Sequence, residues 1–480
     1  MESVKSKTYS ASTKLSIAVT FPPKSGPGPV EANRQGGTCT KKPDAAIVKK
    51  AKTQLKKLGF EVSAEGKMTL SIRGTKREFE KAFGTKLSKR TIQLTAAADT
   101  FKEFYTPESG APWAGNSRLT EIIDDAYIQW PHIYLNQRFD RREPSPIPPA
   151  TTNFSLRPSD VSMLLGADRA HRDGFTGRGV KVAMIDSGFA FDHPYFVERG
   201  YNVKAVLAPG ATKVNEDGSG HGTGESANVL CMAPDVELIG VKVDHATDPS
   251  LSATILEGLQ TAMAHSPNII TVSLGHDFRG LTSLPNWAVG LEAEIKAIVA
   301  SGVTVVFSAG NGHVMFPGMM RQLISAGGVF VDTFGGMEAS DYASAFRSKI
   351  YTAPVRKVPD FCGLVGRSSN SANYIVLPLS PHSEIDRGQA PSDGTVENDG
   401  YGAFSGTSAA APQIAGACAL LLQKNSGLTP GDIKNALGTT ARKVRHGNAN
   451  PSSNPDGAPL RGAAATGSGL IDVAAALAVV

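Results

Sequence analysis

The chain has 480 residues, of which 41% are hydrophobic and 19% are charged, with 49 Lys and Arg against 44 Asp and Glu. This length is too great for one small module, and the hydrophobic fraction excludes a wholly disordered chain. The net charge of +5 conceals an asymmetry, since residues 1–150 carry 25 basic and 15 acidic side chains (+10) and residues 151–480 carry 24 and 29 (−5). Such an asymmetry fits either a front part that binds nucleic acid or two parts that dock on each other.

The cysteines and the hydropathy pattern exclude further classes of protein. Four cysteines without a CxxC pair or a Cys/His spacing provide neither a disulfide framework nor a zinc site, so we expect free thiols packed as small hydrophobes. The N-terminal segment lacks the apolar core of a signal peptide, and no apolar run reaches the roughly 18 residues of a membrane span. We therefore expect a cytoplasmic chain with no membrane partner, with export by another route left open.

Residues 1–138 are predicted to form a small α+β domain. A strand at 14–21 precedes an amphipathic helix at 44–59 and two strands within 60–75. A second helix begins at Thr75 and is followed by a further strand. This order of elements is that of the ferredoxin-like split βαβ motif.

Residues 139–155 are predicted to be a linker, because charges and four prolines occur there without periodicity. From residue 156 to 480, short apolar runs alternate with helical stretches. That pattern is typical of a mostly parallel β-sheet with helices on both faces. We expect the linker to be accessible to a protease.

Four glycine-rich segments of the second domain carry reactive side chains. VKVAMIDSG and VTVVFSAGN place Asp186 and Asn311 after buried strands. GSGHGTGES and FSGTSAAAP place His221 and Ser408 at the starts of helices. Each residue alone fits an ordinary cap or turn. Together they supply a nucleophile, a general base, an orienting carboxylate and an oxyanion donor, the set that acyl transfer requires.

With these motifs the sequence resembles the subtilisin-like serine peptidases over roughly residues 160–480. The matching stretches are D-S-G, H-G-T, S-L-G, S-A-G-N and G-T-S-x-x-x-P. The resemblance implies a subtilisin-like fold in which Ser408 attacks the scissile carbonyl. It also implies that His221 takes and returns the proton while Asp186 orients the imidazole.

The same resemblance implies two further elements of the site. Asn311 would donate to the oxyanion, together with the backbone N–H of Ser408. The substrate backbone would pair as an extra strand along an edge formed by Ser273, Leu274 and Gly275.

Three stretches depart from the family's pattern. Gly224 follows His221-Gly-Thr, and Glu225 lies one turn after the histidine, which we expect to alter only helix packing or local charge. Tyr195 stands where many relatives carry a calcium-binding Asp, so no cofactor is predicted and a calcium site is not supported. Residues 332–357 look like an insertion that could shape the substrate groove.

The front domain carries a second resemblance. Residues 68–88 resemble the activation domain of the sedolisin, or kumamolisin-like, serine-carboxyl peptidases. Subtilisin-like propeptides adopt a related fold, which implies that residues 1–138 are an intramolecular inhibitor released by cleavage within or near 139–155. Opposite charges on the two parts favour such docking. We therefore predict a serine endopeptidase made as a self-processing zymogen, which acts on proteins or peptides and not on nucleic acid.

Alternatives stay open for both parts of the chain. A sedolisin-like peptidase would use a Glu as base and an Asp as oxyanion donor, where this chain has His221 and Asn311. A catalytically silent homologue would only bind peptides in the groove, yet every catalytic position is filled. The front part could instead be an unrelated binding module, including one for nucleic acid, although its aromatic and basic residues are not interleaved.

Overall fold

The structure is a computed structural model. It describes residues 13–35, 37, 39, 41–93, 101–107, 119, 121–130, 155–248, 251–367 and 374–480. The predicted linker at 139–155, with its processing site, therefore lies almost wholly outside the described residues. The described elements form a small antiparallel sheet near the N-terminus and a larger, mostly parallel sheet after it.

The front part is an α+β region. Its elements in chain order are β1 (Lys14–Thr20), α1 (Pro29–Arg34), α2 (Ala45–Lys57), β2 (Glu61–Glu65), β3 (Thr69–Thr75), α3 (Lys76–Phe83), β4 (Leu87–Gln93), β5 (Phe101–Pro107) and β6 (Asp125–Ile128). The sheet has the antiparallel order β2-β3-β1-β6, as expected for a split βαβ motif. The predicted strand after α3 is β4, but it pairs with β5 in a separate hairpin. The strand that completes the sheet is β6.

Local sequence signals define the two longer helices of this part. The Asp44 carboxylate accepts from the Ala46 N–H at the start of α2. Thr75 and Glu78 form a reciprocal capping box at the start of α3. Helix α3 ends at Gly84, whose φ of 65° lies in the left-handed region.

The second part is built on a nine-stranded sheet. Its seven parallel strands are β8 (Lys181–Asp186), β9 (Val203–Leu207), β10 (Glu237–Lys242), β11 (Ile269–Val272), β13 (Thr304–Ser308), β15 (Ile324–Val331) and β19 (Phe361–Leu364). Two short strands, β16 (Met337–Ala339) and β22 (His446–Gly447), extend it beyond β15. The parallel strands lie in the order β9-β10-β8-β11-β13-β15-β19. The order reverses between β8 and β11, and ligands bind at such a switch point in open α/β sheets.

The other strands form small ribbons outside this sheet. They are β7 (Ser155–Leu156), β12 (His276–Asp277), β14 (Met315–Phe316), β17 (Phe346–Thr352), β18 (Val355–Val358), β20 (Tyr374–Pro378) and β21 (Tyr401–Phe404). Strand β12 pairs with β14, β17 pairs with β18, and β20 lies between β7 and β21.

Helices cover both faces of the large sheet. They are α4 (Pro158–Leu164), α5 (Ala167–Arg172), α6 (Pro194–Val197), α7 (His221–Met232), α8 (Ile255–Ala264), α9 (Asn286–Ala300), α10 (Glu384–Asp393), α11 (Thr407–Lys424), α12 (Pro430–Thr440), α13 (Ala463–Thr466) and α14 (Val473–Ala478). Along β8, Val182 and Met184 join the apolar cluster of α7 and α11. Ala183 and Ile185 join the cluster of α8 and α9 on the opposite face. This period of two confirms the predicted parallel sheet with helices on both faces.

The front sheet packs on α8 and α9. Ala18 and Val30 belong to the same buried cluster as the inner residues of these two helices. The ring of Trp130 stacks on that of Trp287 in α9, with centroids 5.0 Å apart. The front part therefore adds residues to the apolar cluster of α8 and α9, while most of its own apolar side chains form a separate core.

Two further findings concern the chain as a whole. All four cysteines are free, and Cys362 and Cys418 are buried, as the sequence predicts. Within the part of the chain that the structure describes, no helix is both long and apolar enough to cross a bilayer.

Candidate active site

Three of the residues expected to carry chemistry lie at the carboxyl ends of neighbouring strands. Asp186 is the last residue of β8, Ser273 follows β11 directly, and Asn311 lies three residues beyond β13. These strands are adjacent and parallel. Their ends therefore meet at one edge of the sheet, on the switch point between β8 and β11.

His221 and Asp186 are in direct contact. Nδ1 of His221 lies 2.7 Å from Oδ1 of Asp186, which also accepts a hydrogen bond of 2.7 Å from the backbone N–H of Ser187. Asp186 is fully buried, whereas 15% of the His221 side chain is exposed. A carboxylate at Nδ1 holds the proton on that nitrogen, so Nε2 of the neutral ring is an acceptor that solvent or a substrate can reach.

Charges around His221 favour its protonated form. Burial opposes the imidazolium, but the charge and hydrogen bond of Asp186 and the charges of Glu225 and Asp217 outweigh it and raise the pKa of His221 to about 9. Oδ2 of Asp186 is buried and has no hydrogen-bond partner among the described residues. The imidazole therefore lies in an acidic, largely dry environment.

Asp217 positions the start of α7, and sequence reasoning missed it. Its two carboxylate oxygens accept four hydrogen bonds: from the N–H of Gly220, from the N–H and hydroxyl of Thr223, and from the hydroxyl of Ser187. The Ser187 hydroxyl in turn accepts from the N–H of Gly222. An Asp four residues before a histidine in a Gly/Ser-rich turn was the available signal. The network ties the His221 turn to the end of β8.

Ser408 lies in the first turn of α11 and is partly exposed. Gly406 precedes the helix with a φ of 137°, a conformation that strongly favours glycine. A Cβ at Gly406 would come within 2.8 Å of Nδ2 of Asn311, so the amide of Asn311 lies directly against this turn. At a helix start the free backbone N–H groups favour negative charge next to Ser408.

Thr407 joins the Asn311 segment to the turn that carries Ser408, and it was also missed from sequence. Its N–H and hydroxyl donate to Oδ1 of Asn311 at 2.9 and 3.0 Å. Its hydroxyl also accepts from the N–H of Gly310 at 3.0 Å. Because Oδ1 is engaged, Nδ2 of Asn311 is the group left to face the site.

The expected substrate edge is tied to the same turn. The Ser273 hydroxyl donates to the Ser408 carbonyl at 3.0 Å. Leu274 is buried, whereas a Cβ at Gly275 would overlap the sulfur of Met315. The thioether of Met315 therefore lies against the edge, in the gap between residues 273–275 and the loop after β13.

The predicted insertion at 332–357 comprises β16, β17 and most of β18. Its Ser344 hydroxyl accepts from the N–H groups of Gly312 and His313, at 2.9 and 3.0 Å. A Cβ at Gly406 would lie 3.1 Å from the Tyr342 ring. The segment thus contacts the loop that carries Asn311 and the turn that carries Ser408.

His193 is a structural residue in this arrangement. Its Nδ1 accepts from the Tyr195 N–H at 3.0 Å and its Nε2 donates to the Gly400 carbonyl at 3.1 Å. Burial lowers the pKa of His193 to about 4, so the ring is neutral near pH 7. Among the described residues, no group of three or more His, Cys, Asp and Glu side chains is placed to hold a metal ion.

The structure brings the predicted residues into two hydrogen-bonded groups. One contains Asp186 and His221, and the other contains Asn311, Ser273 and the Ser408 backbone. The helices α7 and α11, which begin with the two groups, pack along each other. The arrangement can hold a proton acceptor, a serine hydroxyl and amide donors on one edge of the sheet.

Sequence comparisons show the family to which the chain belongs. A model of the Subtilase family of peptidases matches residues 177–458. Subtilisin of Bacillus pumilus is 30% identical over 287 residues, which cover 57% of this chain and 88% of that protein. Subtilisin E of Bacillus subtilis is also 30% identical over 287 residues, and the match spans 64% of its length.

Solved structures share the fold at low identity. Fervidolysin from Fervidobacterium pennivorans, a keratinolytic enzyme related to subtilisin, matches with a TM-score of 0.55 at 17% identity, covering 97% of this chain and 61% of its own. A lanthipeptide protease matches with a TM-score of 0.50 at 20% identity, covering 67% of this chain and 94% of its own. The likeness to fervidolysin includes the front part.

Proposed function

Because this chain belongs to the subtilase family of serine peptidases, we propose that it is an endopeptidase that cleaves peptide bonds through Asp186, His221 and Ser408. The observation that carries the proposal is the His221–Asp186 hydrogen bond of 2.7 Å at the strand edge where Ser408 begins its helix. Asn311 is its oxyanion donor.

The chemistry follows from the positions of the protons. Nε2 of His221 accepts the hydroxyl proton as Oγ of Ser408 attacks the scissile carbonyl. The resulting imidazolium is stabilised by the buried carboxylate of Asp186 at Nδ1. His221 then protonates the leaving amine. In the second half of the reaction it takes a proton from water as the water attacks the acyl-enzyme, and it returns that proton to Oγ of Ser408 as the acid product leaves.

The developing oxyanion is stabilised by donors that need no rearrangement. Nδ2 of Asn311 is directed to the site because Thr407 occupies Oδ1. The backbone N–H of Ser408, in the first turn of α11, is the second donor. A substrate strand pairs along residues 273–275, whose Ser273 is already bonded to the Ser408 carbonyl.

We also propose that the chain is a zymogen whose front part, residues 1–138, inhibits the peptidase domain and is released by cleavage within or near 139–155. Buried contacts support this docking. The Arg73 guanidinium pairs with the buried Glu257 of α8 at 3.2 Å, and the Ser71 hydroxyl donates to Gln260 at 2.7 Å. Opposite net charges on the two parts favour the same association. The resemblance of residues 68–88 to a sedolisin activation domain stays a prediction.

The experiment compares the full chain with its Ser408→Ala variant, and Ser301→Ala, an exposed serine after α9, is the matched control. We expect the wild type and the control to hydrolyse a casein substrate, react with a fluorophosphonate probe and lose the front part. Ser408→Ala is expected to stay at full length and unlabelled. Processing and hydrolysis by Ser408→Ala would contradict the assignment.

The same experiment separates the alternative functions. A peptide-binding homologue without catalysis would leave the wild type unlabelled by the probe. A serine-carboxyl peptidase would be active in acid, whereas a His221 base requires the neutral imidazole and loses activity there. The bond from Asp186 to His221 supports the latter chemistry.

A further inference from the structure

A second carboxyl group faces the imidazole of His221. Glu225 lies one turn later on α7, and its Oε1 is 4.0 Å from Nε2 of His221. Its side chain is only 1% exposed. Asp186 contacts the opposite side of the ring, at Nδ1. The imidazole therefore lies between two buried acidic groups, and only one of them belongs to the triad.

Hydrogen bonds hold Glu225 in this position. The Asn228 side-chain amide donates to Oε2 of Glu225 at 2.8 Å and accepts from Nε2 of Gln413 at 3.2 Å. Gln413, in α11, is itself held by the backbone of Leu364, with contacts of 2.8 and 3.1 Å. Asn228 and Gln413 are both fully buried. This chain of amides fixes the carboxyl group against His221 from the helix that carries Ser408.

Among the described residues, few charged groups surround His221 and Glu225. Asp186 at the end of β8 and Asp217 in the loop before α7 are the other acids near His221. From α11 the neutral Gln413 amide bonds to Asn228, the partner of Glu225, and from β21 the Phe404 ring lies 6.1 Å from the imidazole. Burial raises the pKa of Glu225 to about 8, opposed by the charge of His221 and the Asn228 hydrogen bond.

We propose that Glu225 is a positioning residue that acts through His221, stabilising the imidazolium from the Nε2 side and so moving the onset of activity to higher pH. The proposal rests on the proposed function of His221 as the general base. It goes beyond the sequence expectation, which limited Glu225 to helix packing or local charge.

The direction follows from electrostatics. An ionised Glu225 favours the protonated ring, so a higher pH is needed to obtain the neutral base. The titrations of His221 and Glu225 are coupled, because ionisation of Glu225 makes the imidazole harder to deprotonate. Removal of the Glu225 charge is therefore expected to lower the midpoint of His221 by about one pH unit or more, a roughly tenfold change in proton affinity.

The test titrates His221 in the full-length Ser408→Ala chain by ¹⁵N NMR of the imidazole, with and without Glu225→Gln. Glutamine keeps the shape of the side chain and its acceptor for Asn228. The control is Glu237→Gln, because Glu237 is a partly exposed residue at the start of β10, the strand end away from the site, where it pairs with Lys181 and Lys204. We expect the midpoint of the His221 titration to fall in Glu225→Gln and to stay unchanged in the control variant. An unchanged midpoint in folded Glu225→Gln would overturn the proposal.

A second measurement uses the active enzyme. The acid limb of kcat/KM against pH is expected to move down with the NMR midpoint in Glu225→Gln, whereas a purely structural role would lower kcat/KM equally at all pH values. If Glu225→Gln does not fold, Asn228→Ala replaces it. Loss of the hydrogen bond from Asn228 favours the neutral form of Glu225. The midpoint of the His221 titration should therefore fall in Asn228→Ala as well, but by less than in Glu225→Gln. The NMR readout stands even if the wild type hydrolyses no peptide.

Discussion

Glu294, in the middle of α9, accepts a hydrogen bond of 2.9 Å from the backbone N–H of Met68, 226 positions earlier in the chain. The same carboxylate also accepts from the Lys67 N–H and the Thr69 hydroxyl. Glu294 is fully buried by the front sheet. One side chain of the peptidase domain thus binds the turn between β2 and β3 of the front part.

Glu294→Ala is predicted to loosen the front part. Leaving these buried donors unpaired costs ~1–3 kcal/mol, enough for about tenfold faster exchange. The exchange rates of the Lys67 and Met68 amide hydrogens, compared in the uncut Ser408→Ala chain with and without Glu294→Ala, measure this loosening. Asp456→Ala is the control, because Asp456 is an exposed residue far along the chain. Equal protection in both variants would show that Glu294 does not hold the front part.

Asn311→Ala is predicted to lower kcat about 10²–10³-fold with little change in KM, because an oxyanion donor acts mainly in the transition state. Thr407→Val removes only the hydroxyl that donates to Oδ1 of Asn311, so a smaller loss of kcat is expected. Steady-state kinetics on a peptide amide measure both. A rise in KM at constant kcat would assign Asn311 to substrate binding instead.

Asp217→Asn is predicted to misplace His221 without touching a substrate. An amide cannot accept all four hydrogen bonds that the carboxylate receives, so the first turn of α7 should shift. A displacement near 1 Å can cost roughly 10²-fold in rate. The fluorophosphonate labelling rate measures the effect, with Asp456→Asn as control. Full labelling of folded Asp217→Asn would refute this positioning role.

Met315→Ala is predicted to widen the substrate preference. The Met315 sulfur lies against Gly275. If residues 273–275 pair with the substrate strand, Met315 borders the space for the side chain before the scissile bond. Peptides with Ala or Phe at that position, compared by kcat/KM, report the effect. We expect the wild type to favour Ala, and Met315→Ala to gain mainly on Phe. An unchanged Phe/Ala ratio would place the side-chain pocket elsewhere.

Much of the site could be predicted because its signals are local. Asp186 follows an apolar strand, Ser408 follows a glycine at a helix start, and the charge asymmetry indicated two parts. Glu225 was recognised from the sequence as a departure from the family's pattern. Helix periodicity places it one turn after His221, but its burial and its hydrogen bond to Asn228 are visible only in the structure.

The strand that completes the front sheet could be identified only from the structure. The sequence predicted a strand after α3, yet β4 pairs with β5 and the sheet is completed by β6. Strand propensity identifies an extended segment without identifying its partner, because pairing depends on packing with residues far away in sequence.

By itself, the sequence determined most element types and the parallel sheet and named the candidate residues for chemistry, since period, caps and glycines act over a few positions. Only the tertiary structure decided which groups meet. Asp186 reaches His221 across 35 positions, and Asn311 reaches Thr407 across 96. Such contacts, and the shared burial that shifts the pKa of His221, exist only after the sheet and its helices have packed together.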